Sequence, residues 1–211
     1  NRKHLGERTM IGVSILIPVF NTERAFLEEC LDSCLRQTYT NFEVVVVDNG
    51  SDSSETLATL AAIESHERVS VYKCPRQEGK KNLSIALNHG LTNCSYPLVA
   101  RMDSDDVMLP ERLEKQVAFF EANPEVDILG GQMIMSDRGT TSHPSVVDAN
   151  VATNAFWFIN HPTVMYKRDK IVEIGSYKEE PDLFAEDFEL WIRALLNSLQ
   201  IRNLGDYLIL Y

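Results

Sequence analysis

Apolar runs rich in β-branched residues alternate here with segments of helical spacing, and this rhythm limits the possible folds more than any other feature. Val13-Ser14-Ile15-Leu16-Ile17-Pro18-Val19-Phe20 is too short for a typical helix and is closed by Pro18 and Asn21. Phe26/Leu27, Cys30/Leu31 and Cys34/Leu35 then recur at helical spacing, predicting an amphipathic helix over about 24–37 with Thr22 as its cap. Phe42-Glu43-Val44-Val45-Val46-Val47-Asp48 reads as a second buried strand, halted by the turn Asn49-Gly50-Ser51-Asp52. A helix over about 53–65, a strand at 69–72 and a helix marked by Leu83, Ile85, Ala86, Leu87 and Leu91 follow. A fourth strand covers 96–100, and Pro110-Glu111-Arg112-Leu113 opens a fourth helix with proline near its first position. Such alternation predicts an open α/β sheet, mixed but mostly parallel, with helices on both faces and ligands beyond the carboxyl ends of the strands. The ends in question, 18–21, 48–51 and 101–106, all carry polar residues and would converge on one rim.

After Asn123-Pro124 the pattern loosens. Residues 126–135 are strand-like, whereas 136–150 are polar without periodicity, the signature of a functional or mobile loop. His161-Pro162-Thr163-Val164-Met165-Tyr166 is predicted as a strand. Ala185-Glu186-Asp187 starts a helix whose apolar face is Phe188, Trp191, Ile192, Leu195 and Leu199, with acidic residues favourably placed in its first turn. No linker divides the chain. Residues 1–10 read as an N-terminal tail or an expression remnant, and 11–211 as a single domain. The chain stops at Leu208-Ile209-Leu210-Tyr211, inside a predicted strand, so a fragment of a longer protein is expected.

The chemistry concentrates in Arg101-Met102-Asp103-Ser104-Asp105-Asp106. Carboxylates packed this tightly repel one another unless a cation offsets the repulsion. Mg²⁺ takes one or two protein carboxylates and fills its remaining positions with water and phosphate oxygens, so the cluster reads as a place for a metal-bound phosphate compound. A solvated acidic turn is the alternative. A calcium loop fits poorly, because its glycine and third acidic positions hold Met108 and Val107. A net charge of −11 argues against nucleic acid, whose binding rests on Lys and Arg. Four cysteines (Cys30, Cys34, Cys74, Cys94) lack zinc spacing and read as buried, reduced thiols of a cytoplasmic chain. Residues 1–10 are polar and basic, neither a secretory signal nor a transmembrane segment.

Taken together in order, the motifs resemble glycosyltransferase family 2, the inverting nucleotide-sugar transferases of the GT-A fold. They are Val13-Ser14-Ile15-Leu16-Ile17-Pro18-Val19-Phe20-Asn21, Gln37-Thr38-Tyr39, Asn41-Phe42-Glu43, Val47-Asp48-Asn49-Gly50-Ser51, the D-x-D at Asp103 and Asp105, Pro110-Glu111-Arg112-Leu113, His161-Pro162-Thr163-Val164-Met165, and Glu186-Asp187 with Leu190-Trp191. The resemblance runs from Val13 to Tyr211. It implies a nucleotide-binding half over 11–105 and an acceptor half over 106–211.

By that resemblance Pro18, Phe20 and Asp48 meet the base and ribose, and Asp103 and Ser104 the donor. Asp103 and Asp105 hold Mn²⁺ or Mg²⁺, a Lewis acid for the leaving group. Asp187 is the general base that takes the proton of an acceptor hydroxyl as it attacks the anomeric carbon. His161, Glu186 and Trp191 are candidate substrate contacts; His161 also reads as a strand partner, and Trp191 as core. Two departures stand out. Asn49 replaces an aspartate common in relatives, and Glu78-Gly79-Lys80-Lys81-Asn82 alters the register before the third helix, leaving Lys80 or Lys81 as cationic contacts or solvated lysines. The implied partners are a UDP-sugar and a glycan acceptor, with membrane attachment only through parts outside this chain. A nucleotidyltransferase would want a Gly-rich basic loop after the first strand, and Asn21-Thr22-Glu23-Arg24 is not one. A non-catalytic sugar-nucleotide or glycan-binding module is the remaining alternative.

Overall fold

The structure, a computed structural model, describes residues 10–211 apart from Lys81, Phe156 and Phe184. The first half alternates as expected: β1 (Val13–Val19), α1 (Arg24–Leu35), β2 (Phe42–Asp48), α2 (Ser54–Ile63), β3 (Val69–Lys73), α3 (Asn82–Asn93) and β4 (Leu98–Arg101). These four strands are parallel in the order β3-β2-β1-β4. Their register sets Val19 beside Asp48 and Leu16 beside Arg101, so the three polar strand ends share one rim.

The second half comprises β5 (Val107–Met108), α4 (Arg112–Ala122), β6 (Ile128–Met135), β7 (Gly139–Thr140), β8 (Val146–Val147), α5 (Ala149–Asn154), a 3-10 turn (His161–Thr163), β9 (Met165–Lys167), α6 (Arg168–Glu173), α7 (Glu186–Leu196) and β10 (Ile201–Leu210). It extends the same sheet as β4-β9-β6-β10-β5. β9 is antiparallel to both neighbours, while β6 and β10 are parallel. The sheet is therefore mixed.

Strand periodicity explains why helices cover both faces. Val13, Ile15, Ile17 and Val19 point into a core with α1, α2 and α4, packing near Leu27, Leu31, Leu60 and Phe120. Leu16, Val45 and Val47 point the other way, into a core with α3, α6 and α7 that holds Leu87, Ile171 and Trp191. Each such aliphatic side chain contributes about 1.5–3 kcal/mol when fully buried. α3 lies very close to β1: a Cβ on Gly90 would fall 2.1 Å from Leu16 Cδ1 and 3.1 Å from Val47 Cγ2. Only glycine allows that approach.

Four expectations change. The predicted strand 161–166 begins as a 3-10 turn and becomes a strand only at Met165. Pro162 has no N–H for a ladder, and Thr163 instead donates its N–H and hydroxyl to the Asn160 carbonyl. Thr22 is not the α1 cap; Glu23 holds that position without a side-chain bond, and Thr22 Oγ1 bonds Ser104 Oγ at 2.6 Å. The loop 136–150 contains β7 and β8 and enters α5, and Gln132 Oε1 fastens it by accepting from His143 N. Leu199 lies beyond α7 yet still packs in its core. All four cysteines are buried and free.

Candidate active site

At the carboxyl end of β1, Asn21 leaves the strand in the left-handed region with φ 50°. Its side chain accepts from Asp52 N and Ser53 N and donates to Asp52 Oδ1, tying the exit of β1 to the turn after β2. Asp48 is buried, and its Oδ1 accepts from Ser51 N at 2.9 Å across Gly50, whose φ of 74° glycine tolerates without strain. A cleft of about 290 Å³ opens beside this turn, lined by Pro18, Phe20, Asn49, Arg76, Asn82 and Leu83 among others. Phe20 is 46% exposed and carries the Arg76 guanidinium 4.0 Å from its ring centroid, a cation–π stack at the mouth. Arg76 Nη1 also reaches Asn49 Oδ1 at 3.4 Å, while Asn49 Nδ2 donates to the Cys74 carbonyl. The neutral Asn49 thus joins β2 to the segment after β3. Lys81 lies outside the described residues; Lys80 is exposed. A larger cleft of about 520 Å³ shares Arg76 but is lined by none of Asp48, Asp103, Asp105 and Asp187.

The acidic loop leaves β4 at the centre of the rim. Arg101 is buried, and its Nη1 meets Asp103 Oδ2 at 2.5 Å. Asp105 is exposed; Asp106 is buried, with Oδ2 unpartnered among the described residues. Burial, then Asp103 and Asp105, push the Asp106 carboxyl up to about 7. Ser104 is buried against Thr22, and the Asp103 carbonyl accepts from Cys30 Sγ at 3.2 Å. Beneath the loop lies a second buried guanidinium, Arg112. It donates through Nη2 to the Arg101 carbonyl (2.8 Å) and the Val164 carbonyl (3.2 Å), and through Nε to Gln116 Oε1 (3.1 Å). Burial lowers its pKa to about 10, which leaves it charged at neutral pH. Gln116 Nε2 donates in turn to the Leu129 and Thr163 carbonyls, so one helix face binds the loop, the 3-10 turn and β6 together.

The first turn of α7 supplies the other side. Asp187 is half-buried; burial raises its pKa, the Phe188 backbone N–H opposes this, Glu186 adds to it and Arg101 reduces it. His161 Nδ1 lies 4.0 Å from Glu186 Oε1, and His161 Nε2 is 3.0 Å from the Tyr177 hydroxyl. Burial, then Arg101, hold His161 well below its ordinary pKa, hence a neutral imidazole. Ligand atoms of His161, Glu186 and Asp187 all lie within 4.8 Å of one another. Trp191 is 1% exposed and meets the His161 ring edge-on at 5.8 Å, so its packing is that of a core residue. Trp157 is 45% exposed and meets the Phe188 ring edge-on at 6.1 Å, next to Asp187 in the chain.

Sequence reasoning missed Arg76, Arg101 and Arg112. The available signals were a Pro-Arg pair after β3, an arginine heading the acidic run, and the arginine of Pro110-Glu111-Arg112-Leu113. The donor chemistry suits a hard divalent ion: an exposed carboxylate at Asp105, a half-exposed one at Asp103, and an unsatisfied carboxylate oxygen on Asp106. Among the described residues no helix is long and apolar enough to cross a membrane.

Known proteins share both sequence and fold. The amylovoran biosynthesis glycosyltransferase AmsE of Erwinia amylovora is 36% identical over 208 residues, covering 92% of this chain and 74% of AmsE. S. aureus TarS 1-349, solved in complex with UDP-GlcNAc, superposes with a TM-score of 0.77 at 24% identity, over 95% of this chain. The chain spans 58% of that TarS chain. The mannosyltransferase PcManGT from Pyrobaculum calidifontis, solved with GDP-Man and Mn²⁺, gives a TM-score of 0.73 at 20% identity over 97% of this chain and 57% of its own. The description of glycosyl transferase family 2 matches residues 14–175, and the chain belongs to that family, with a GT-A fold.

Proposed function

We propose that this chain is a metal-dependent, inverting glycosyltransferase that moves a sugar from a UDP-sugar to a hydroxyl of a glycan acceptor. The observation that carries this reading is a pair of acidic groups set around the end of β4. Asp103 pairs with Arg101, whose N–H donates to the Val164 carbonyl just after the turn carrying His161, and the ligand atoms of His161, Glu186 and Asp187 lie within 4.8 Å of one another. TarS, of the same fold, binds UDP-GlcNAc, which favours a uridine nucleotide in the cleft at Pro18, Phe20 and Asn49.

Residues 11–105 form the donor half in this reading. Phe20 and Arg76 present a planar stacked pair to the base, and Asp48 offers an acceptor for a base or ribose N–H or O–H. Asp105, with Asp103, would hold Mn²⁺ or Mg²⁺, which supplies charge neutralisation to the leaving diphosphate when bound. Ser104 fixes the loop through Thr22. Residues 106–211 form the acceptor half. Asp187 takes the proton of the acceptor hydroxyl as that oxygen bonds to the anomeric carbon and the bond to the nucleoside diphosphate breaks. Attack from the face opposite the leaving group inverts the configuration, as in single-displacement glycosidases. The neutral His161 and Glu186 flank the base and shape the space for the acceptor. The four free thiols accord with a cytoplasmic setting, with any contact to a membrane face made through other parts of the protein.

Titration calorimetry with UDP in the presence and absence of Mn²⁺ tests the donor assignment. Binding that requires Mn²⁺ supports it, and identical binding in excess chelator would remove the metal from the account. A donor panel assayed for nucleoside diphosphate release then identifies the sugar.

A further inference from the structure

We propose that Tyr177 is a positioning residue of the transfer reaction: its hydroxyl donates to His161 Nε2 and so fixes the imidazole tautomer whose Nδ1–H faces the carboxylates of Glu186 and Asp187. The Tyr177 backbone is placed by three elements. After α6 the chain turns through Gly175 (φ 94°) and Ser176 (φ 53°), both in the left-handed region, which a serine seldom enters unless its surroundings hold it there. Arg193 of α7 holds this turn, donating to the Ile174 carbonyl at 2.5 Å and the Ser176 carbonyl at 2.6 Å, and is itself paired with Glu189. From α3, the Asn88 side chain brackets the next residue. Its Oδ1 accepts from Tyr177 N at 2.9 Å, and its Nδ2 donates to the Tyr177 carbonyl at 2.8 Å. The backbone held in this way sends the phenol inward, 2% exposed, onto His161.

The Tyr177 hydroxyl lies 3.0 Å from His161 Nε2, and the two ring centroids are 5.6 Å apart. Trp191 meets the same imidazole edge-on at 5.8 Å, so packing as well as the hydrogen bond holds the ring. Its second nitrogen, Nδ1, lies 4.0 Å from Glu186 Oε1, beyond hydrogen-bond length, and the ligand atoms of His161, Glu186 and Asp187 are within 4.8 Å of one another. A neutral imidazole carries one proton, and the role taken by the hydroxyl decides which nitrogen has it. If Tyr177 accepted, Nδ1 would turn a lone pair towards two carboxylates. If Tyr177 donates, Nδ1–H faces them and the partial charges attract. The second arrangement is the favourable one. It sets a fixed N–H dipole against the first turn of α7, where the proposed base sits. Partners behind metal-bound imidazoles work in the same way, by setting tautomer and ring orientation.

The effect on transfer rests on Asp187 being the base; the tautomer does not, and the experiment keeps the two apart. Imidazole ¹⁵N shifts of the histidine-labelled chain are read at neutral pH, with His161→Gln identifying the resonances. The parent chain is expected to show a protonated Nδ1 and a bare Nε2 on His161, and the reverse pattern overturns the proposal. Tyr177→Phe keeps the ring and removes the hydroxyl. It should move the His161 proton to Nε2 in part or whole and lower the kcat of UDP release about tenfold, with KM for the UDP-sugar unchanged. Unaltered shifts or an unaltered kcat in this variant would overturn the positioning role. If Tyr177→Phe does not fold, the His161 tautomer of the parent chain decides. Should Asp187→Asn keep its turnover while Tyr177→Phe both swaps the tautomer and lowers UDP release, the positioning of His161 stands and the base assignment fails.

Discussion

In the proposed reaction, Asp187 and Asp105 divide the chemistry at the level of single side chains. Because burial raises the Asp187 pKa, UDP release should decline on the acid side at a pH above the ordinary aspartate value, as the proposed base takes up its proton. The same shift has a stability consequence. A carboxylate whose folded pKa is raised stabilises the fold only at low pH, and that contribution is lost as pH rises through the folded value. Asp187→Asn should therefore raise the denaturant midpoint at pH 7, with the gain shrinking as the pH approaches the unfolded carboxylate value. Asp105 is exposed and makes no side-chain hydrogen bond or ion pair among the described residues. Asp105→Ala should leave folding untouched and weaken Mn²⁺-dependent UDP binding about tenfold or more, measured by calorimetry. Arg112 is the opposite case. Arg112→Met strands the Arg101 carbonyl and Gln116 Oε1 and takes one of two donors from the Val164 carbonyl, and should cost about 3 kcal/mol in urea unfolding.

At the level of elements, the close seat of α3 on β1 is a tight packing constraint on the parallel part of the sheet. Gly90→Ala drives a methyl group into Leu16 and should destabilise the fold by about 1–3 kcal/mol, read from the denaturant midpoint. α1 and α3 were legible in the sequence because their apolar residues recur at helical spacing, and β1 and β2 because their β-branched apolar runs are too short for a helix and close on turn residues. The 3-10 turn at His161–Thr163 was not: its short apolar run reads as a strand, and what sets its form is hydrogen bonding to Asn160. β5, β7 and β8 are two residues each and exist only through pairing with β10 or β6, distant in the chain. Local pattern carries no trace of such pairing.

For the whole molecule, the strand order brings chain segments from near residues 20, 50 and 105 to one rim of a mixed sheet. Alternation predicted that rim, and the acidic run and Glu186-Asp187 are the candidates the sequence offers for its chemistry. The arginines were hidden because their roles depend on what faces them across the fold: Arg76 on Phe20, Arg101 on Asp103, Arg112 on the Val164 carbonyl. A chain of net charge −11 thus keeps two buried cations under the site that gathers its carboxylates. The measurement that bears most directly on this arrangement is UDP release from a UDP-sugar by Asp187→Asn, alongside its affinity for UDP with Mn²⁺. Release lowered by about 10²–10⁴-fold with affinity unchanged is the predicted result. Turnover near that of the parent chain would contradict the assignment of the base and, with it, the reading of the rim as one catalytic site.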